Sequence, residues 1–278
     1  MPPILEVKNL VKKFGDLTAV DGVSFDIQAG EVFSLLGPNG AGKTTTISML
    51  SCLLEPTSGE AMINGHSITR ETMEVKRTIG VVPQEIALYE ELSARENLMF
   101  WGQMYGLDRK ELKIRVGEVL EQIGLADRAK DKIKTYSGGM KRRVNIGVGL
   151  LHKPLLLFMD EPTVGIDPQS RRSILDSVKD LNKAGMTVLY TTHYMEEAEE
   201  LSHRVGIVDQ GKMIAIGTQK ELTLLVGENE TLRLHTGENV DVQPLMDALK
   251  ELPQVIHVSS SDNMVVLIVP EADDALPP

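Results

Sequence analysis

The chain has 278 residues and a formal net charge of -11, long enough for one large domain plus a small one around a substantial core. That charge disfavours a nucleic-acid groove, which needs clustered Lys and Arg, and no nucleic-acid partner is expected. Much of it lies at the end, where residues 226–278 hold ten acidic and two basic side chains.

The only cysteine, Cys52, sits in an apolar pattern and reads as a small packed hydrophobe, so no oxidising compartment is needed. No apolar run approaches the roughly 18–20 residues that span a bilayer. The start, "MPPILEVKNL", lacks a secretory pattern. A cytoplasmic chain is the expectation.

In chain order, "ILEVKNL", "VSFDI" and "EVFSLLG" read as β, and a helix begins at the Gly-Lys-Thr step. "EAMING" and "TIGVVPQ" are further short strands. From about Leu88 to Leu151 the pattern turns helical. Ser93 and Glu96 have capping-box spacing, and Leu112, Val116, Val119, Leu120 and Ile123 recur at three- and four-residue steps. Strands return at "LLLFMD", "TVLYTTH" and "RVGIVDQGKMIAIG", with the helical "QSRRSILDSVKDLNKAG" between the first two. Strands alternating with helices imply a largely parallel sheet, and a helical block of about sixty residues set into it reads as a subdomain. A domain boundary is placed near Leu225-Val226-Gly227, giving domains 1–226 and 227–278. The second reads as strand (Thr231–His235), helix (Val242–Leu252), strand (Val255–Ser259) and strand (Met264–Val269). That order is one helix and one strand short of a ferredoxin-like unit. Either it is a different small fold, or the chain is shorter than its parent.

Gly37-Pro38-Asn39-Gly40-Ala41-Gly42-Lys43-Thr44 matches the phosphate-loop pattern G-x4-G-K-[ST]. Glycines let backbone N–H groups turn inward as a nest, and the following helix offers its positive end to the same anion. Lys43 supplies a point charge toward the terminal phosphates, and the Thr44 hydroxyl suits Mg²⁺; Thr45 continues the site. In "LLLFMDEPT" two carboxylates follow an apolar strand, where ligands collect in parallel sheets. Asp160 is placed to hold Mg²⁺ through water, and Glu161 to orient or deprotonate an attacking water. In "YSGGMKRRVNIGVGLL", Ser137 is a good helix N-cap, and Gly138 and Gly139 allow close backbone approach at the helix start.

The order Gly37–Thr44, Gln84, Ser137-Gly138-Gly139, Asp160-Glu161, Asp167, His193 resembles the nucleotide-binding subunit of ATP-binding-cassette (ABC) transporters over roughly residues 4–225. The Ser-Gly-Gly element is more specific than the phosphate loop. The resemblance implies an α/β P-loop ABC ATPase core: a mixed, largely parallel sheet with an N-terminal antiparallel β subdomain, an inserted helical subdomain and, here, a small α+β C-terminal domain. It gives Gln84 a link between Mg²⁺, water and the helical subdomain, and His193 a contact to the γ-phosphate. Asp167 becomes the coupling between two nucleotide sites. Phe14 becomes an aromatic stacked on adenine, which leaves ATP over GTP undecided. It further implies a homodimer closed around two ATP, and a separate membrane permease that alone ties the chain to the membrane. Met140 and Tyr136 depart from the common glutamine and leucine. "YSGGMKRR" with "FMDEPTVGIDP" is similar to the branch of daunorubicin-resistance exporters, which points to a drug-like, lipid or other hydrophobic cargo. The alternative is a soluble ABC ATPase in assembly or regulation, without a permease.

Overall fold

The computed structural model describes residues 2–226, 230–235, 242–250, 252, 255, 257–261 and 264–269. A long antiparallel hairpin opens the chain, β1 (Leu5–Phe14) and β2 (Leu17–Ile27). Both strands run beyond the short apolar segments that mark them in the sequence. Their far ends are polar or exposed and carry no alternation, so backbone pairing extends them, through a turn with Gly15 at φ 58°. Next come β3 (Val32–Leu36), α1 (Lys43–Leu50), β4 (Ser58–Ile63), β5 (His66–Ser67), α2 (Thr72–Thr78) and β6 (Ile79–Val82). The helical stretch holds α3 (Ala94–Met104), α4 (Arg109–Gln122) and α5 (Gly138–Leu150). The chain then returns through β7 (Leu156–Asp160), α6 (Pro168–Lys183), β8 (Thr187–Thr192), α7 (Met195–Leu201), β9 (Arg204–Asp209) and β10 (Lys212–Gly217).

Two sheets result, a four-stranded one ordered β2-β1-β4-β5 and a six-stranded one ordered β10-β9-β3-β8-β7-β6. Every pairing in the larger sheet is parallel except β9 with β10. Strands buried on both faces should read as unbroken apolar runs, and every residue of β7 and β8 is buried. Their side chains alternate between two cores. Leu157, Met159, Val188 and Tyr190 join the helical residues Leu98, Leu112, Val116, Val119 and Val144. Leu156, Phe158 and Leu189 join the N-terminal sheet and α1 through Leu5, Ile27, Ile47 and Leu50. The sequence places β7 one residue early. Leu155 is half-exposed, and the strand runs through Asp160.

Helix starts obey local chemistry. Ser93 and Glu96 form a complete capping box on α3. Asp108 caps α4, whose buried residues Leu112, Val116, Val119 and Leu120 are the ones the periodicity picks out.

The chain divides into two units at Thr218–Gln219. The second begins with α8 (Gln219–Val226) and continues with β11 (Glu230–His235), α9 (Gln243–Lys250), β12 (His257–Ser261) and β13 (Met264–Val269). The boundary read near Leu225-Val226-Gly227 falls one element after this division, beyond α8. The second unit's three strands form an antiparallel sheet ordered β11-β13-β12. Val258, Val265 and Leu267 are its buried centre, against which Met246 and Leu249 of α9 pack. The terminal "PEADDALPP" lies outside the described residues.

Candidate functional site

The loop from Gly37 to Gly42 joins buried β3 to α1. Gly40 and Gly42 have φ of 80° and 98°, a region side chains rarely adopt. A Cβ at Gly37 would lie 2.1 Å from the Val208 carbonyl oxygen, and one at Gly42 2.5 Å from that of Ala19. Only glycine lets the loop lie this close to its neighbours. The Lys43 side chain is buried and turns back along the loop. Its Nζ donates to the carbonyls of Gly37 at 2.7 Å and Pro38 at 2.9 Å, and lies 3.0 Å from Glu161 Oε1.

Asp160 ends β7 and is buried beside Thr191 of β8, its partner in the parallel register. The Thr191 hydroxyl donates to Asp160 Oδ1 at 2.7 Å and accepts from the Glu161 backbone N–H at 2.9 Å. Glu161 has φ 43°, a left-handed conformation that costs a β-carbon-bearing residue about 1–3 kcal/mol. Thr191 and Lys43 help hold that turn, which brings the carboxylate round to Lys43 on one side and His193 on the other. His193 Nδ1 is 3.3 Å from Glu161 Oε2 without hydrogen-bond geometry, and its ring packs on Tyr194 at 4.1 Å between centroids.

A cavity of about 270 Å³ gathers Asn39, Gly40, Gly42, Lys43, Thr44, Thr45, Gln84, Glu161 and His193, together with Ala19 and Val164. Residues more than a hundred positions apart thus face one space. Asp160, next to Glu161 in the chain, is buried and is not among the lining residues. Hydroxyl, amide and carboxylate oxygens from Thr44, Gln84 and Asp160 form a hard donor set of the kind Mg²⁺ takes, and Mg²⁺ keeps several waters, which suits a carboxylate set back from the cavity. Gln84 is held from behind by α5. Arg142 donates to the carbonyls of Pro83 at 2.7 Å and Gln84 at 2.6 Å, and Asn145 Nδ2 donates to that of Glu85 at 3.3 Å.

Ser137, Gly138, Gly139 and Asp167 do not line this cavity. They lie at the starts of two helices that pack together, α5 and α6. A Cβ on Gly139 would fall 2.3 Å from Ser170 Cβ in the first turn of α6, so that glycine permits contact between the starts of α5 and α6. Ser137 accepts from Met140 N–H at 3.2 Å, and Asp167 from Ser170 N–H at 3.0 Å. The Ser170 backbone N–H holds the Asp167 carboxyl below its usual range. Ser137, Gly138 and Asp167 remain exposed. Met140 packs against the larger apolar core, and the buried Tyr136 donates its hydroxyl to the Arg128 carbonyl at 2.6 Å. Phe14, at the end of β1, is half-exposed, with Lys12 Nζ 5.3 Å from its ring centre and no place in the cavity lining.

Sequence reasoning passed over Thr191, Thr163, Arg142 and Glu197. Thr191 was detectable as the strand neighbour of Asp160, once the register was known. Glu197 sits in "MEEAEE", which reads as a solvated acidic helix, yet it is buried.

A glycine loop between a buried parallel strand and a helix, with two carboxylates at the end of another strand two places away in the sheet, defines a P-loop nucleotide hydrolase. The ABC transporter family matches residues 20–164. The linearmycin resistance ATP-binding protein LnrL of Bacillus subtilis is 59% identical over 231 residues, 83% of this chain and 74% of that protein. The daunorubicin/doxorubicin resistance ATP-binding protein DrrA of Streptomyces peucetius is 42% identical over 258 residues, 92% of this chain and 78% of that one. A solved dimeric post-hydrolysis ATP-binding cassette bound to ADP and Pi superposes with a TM-score of 0.69 at 29% identity, covering 77% of this chain and 98% of that one. The chain belongs to the ABC transporter family, as a nucleotide-binding ATPase. Among the described residues no helix is long and apolar enough to cross a membrane.

Proposed function

We propose that the chain is the ATP-hydrolysing subunit of an exporter, working as a homodimer closed around two ATP. It would drive a separate membrane permease from the cytoplasmic face and have no contact with nucleic acid. One observation carries the dimer: the cavity holds Lys43, Glu161 and His193, while Ser137 and Asp167 are exposed and outside its lining. A second copy can bring its Ser137 helix start to the open side of the cavity, an isologous arrangement with two sites. The dimeric ADP-bound neighbour supports this reading. The names of the resistance ATP-binding proteins support a drug-like or otherwise hydrophobic cargo.

In this reading the loop amides and Lys43 grip the β- and γ-phosphates, and Phe14 stacks on the base. Thr44, Gln84 and Asp160 would hold Mg²⁺, which supplies charge neutralisation to the phosphates. Glu161 takes a proton from the attacking water as its oxygen bonds to the γ-phosphorus and the bridging oxygen leaves on ADP. His193 steadies the γ-phosphate oxygens. Loss of that phosphate removes contacts across the seam and lets the dimer part.

The test is the mass in solution of Glu161→Gln with ATP and Mg²⁺, read by light scattering. A stable dimer is expected, and a monomer at saturating ATP would overturn the proposal. Co-purification in detergent with a multi-span protein separates the exporter from a soluble assembly ATPase.

A further inference from the structure

Glu197, on α7, is 2% exposed, the most buried carboxylate among the described residues. A carboxylate persists in such a place only where donors satisfy its lone pairs. Three hydroxyls do so. Thr163 Oγ1 donates to Oε1 at 2.7 Å, while Thr192 Oγ1 at 2.8 Å and Tyr190 OH at 3.0 Å donate to Oε2. Arg171 of α6 adds its charge, with Nε 3.6 Å from Oε1. All three hydroxyl residues are themselves buried. Burial, with the Glu197 charge beside it, pushes the Tyr190 phenol well above its ordinary value, so it stays a donor.

The positions of these donors matter more than their number. Thr163 stands two residues beyond Glu161. Thr192 directly precedes His193, and is fixed on two further sides. Its hydroxyl accepts from Tyr194 N–H at 3.0 Å, and its carbonyl accepts from Gly37 N–H at 3.2 Å, at the mouth of the phosphate loop. His193 therefore hangs between two anchored residues. Its ring lies on Tyr194, whose other neighbour is the Arg171 guanidinium, 4.4 Å from the Tyr194 ring centre. Arg171 lies one turn into the helix that Asp167 caps, its N–H bonded to the Asp167 carbonyl at 2.8 Å. We propose that Glu197 is a positioning residue of the ATPase, a buried carboxylate that ties the segment after Glu161 to the strand end before His193 and, through Arg171, to the start of α6. It touches no cavity residue's reacting atoms and acts through His193, so the inference rests on the role given to that histidine.

A residue that serves only the core would lower stability and act independently of His193. The experiment is a double-mutant cycle on the full chain, measuring kcat and KM for ATP alongside thermal unfolding. Glu197→Gln keeps length and shape but removes the charge and one acceptor. Its kcat should fall about tenfold, the loss expected for one charge-assisted hydrogen bond, with KM unchanged. Adding it to His193→Ala should lower kcat no further. Thr192→Val removes both the donor to Glu197 and the acceptor of the Tyr194 N–H, and should reproduce at least the kcat loss, with Thr192→Ser restoring it, so the proposal stays testable even if Glu197→Gln does not fold. Wild-type kcat in both Glu197→Gln and Thr192→Val overturns the proposal, as do losses that multiply with that of His193→Ala. If His193→Ala alone keeps wild-type turnover, the role of His193 fails first and that of Glu197 falls with it.

Discussion

The loop after β3 and the helix start after Tyr136 both carry glycines that let backbone approach something closely, yet their polar groups end up in opposite conditions. Around the loop, Lys43 is buried and satisfied within the chain by two carbonyls and Glu161. At the helix start, Ser137 and Gly138 are exposed, and the Ser137 hydroxyl accepts from the Met140 N–H of its own helix. In the proposed reading, the first region exchanges these internal partners for phosphate oxygens. The second has a rigid base against α6 and an open face. In the proposed reading, this difference of burial separates a site that binds nucleotide alone from one that meets a second copy.

Variants on the two sides should therefore fail differently. Glu161→Gln removes the proton acceptor while keeping its shape, and turnover should drop about 10²–10⁴-fold, as for loss of a general base, with ATP still bound. Wild-type single-turnover rates would deny Glu161 that role. Lys43→Ala should weaken ATP binding about 10–100-fold, the range for a hydrogen bond to a charged group. Equilibrium binding of a fluorescent ATP analogue measures this, and unchanged affinity would count against the phosphate assignment. Ser137→Ala loses a helix cap, about 1 kcal/mol of stability. It should leave ATP affinity of the monomer intact while impairing dimer formation. Reduced monomer affinity would dissolve the contrast between the two regions.

The smallest effect concerns a group on neither side. His152 donates Nε2–H to the Ile79 carbonyl at 2.7 Å, stacks on Tyr105, and is held by burial below the ordinary histidine value. The unfolded chain therefore takes up its proton first, so stability should decline as pH falls through about 6.5. Melting temperatures at pH 7.5 and 5.5 should differ less for His152→Gln, which can keep the bond to Ile79, than for wild type.

The parts legible in the sequence are those whose physics is local. The phosphate-loop spacing, the Ser93–Glu96 box and the apolar run before Asp160 each act within a few residues. Thr191 and Glu197 were not legible, because hydrogen bonds across β7, β8 and α7 depend on register and packing. Glu197 shows the failure most sharply. Its neighbours Glu196 and Glu199 are exposed, and nothing in the run of acids marks the one that turns inward.

By itself the sequence determined a P-loop ATPase with a resemblance to the ABC family, since the glycine-lysine loop, the paired carboxylates and the Ser-Gly-Gly element are each short patterns whose order the string preserves. Only the tertiary structure decided which of these residues share one cavity, which face away from it, and which buried acid binds their loops together. Through-space neighbours are set by strand register and by the two cores on either side of the larger sheet, and a one-dimensional string carries neither.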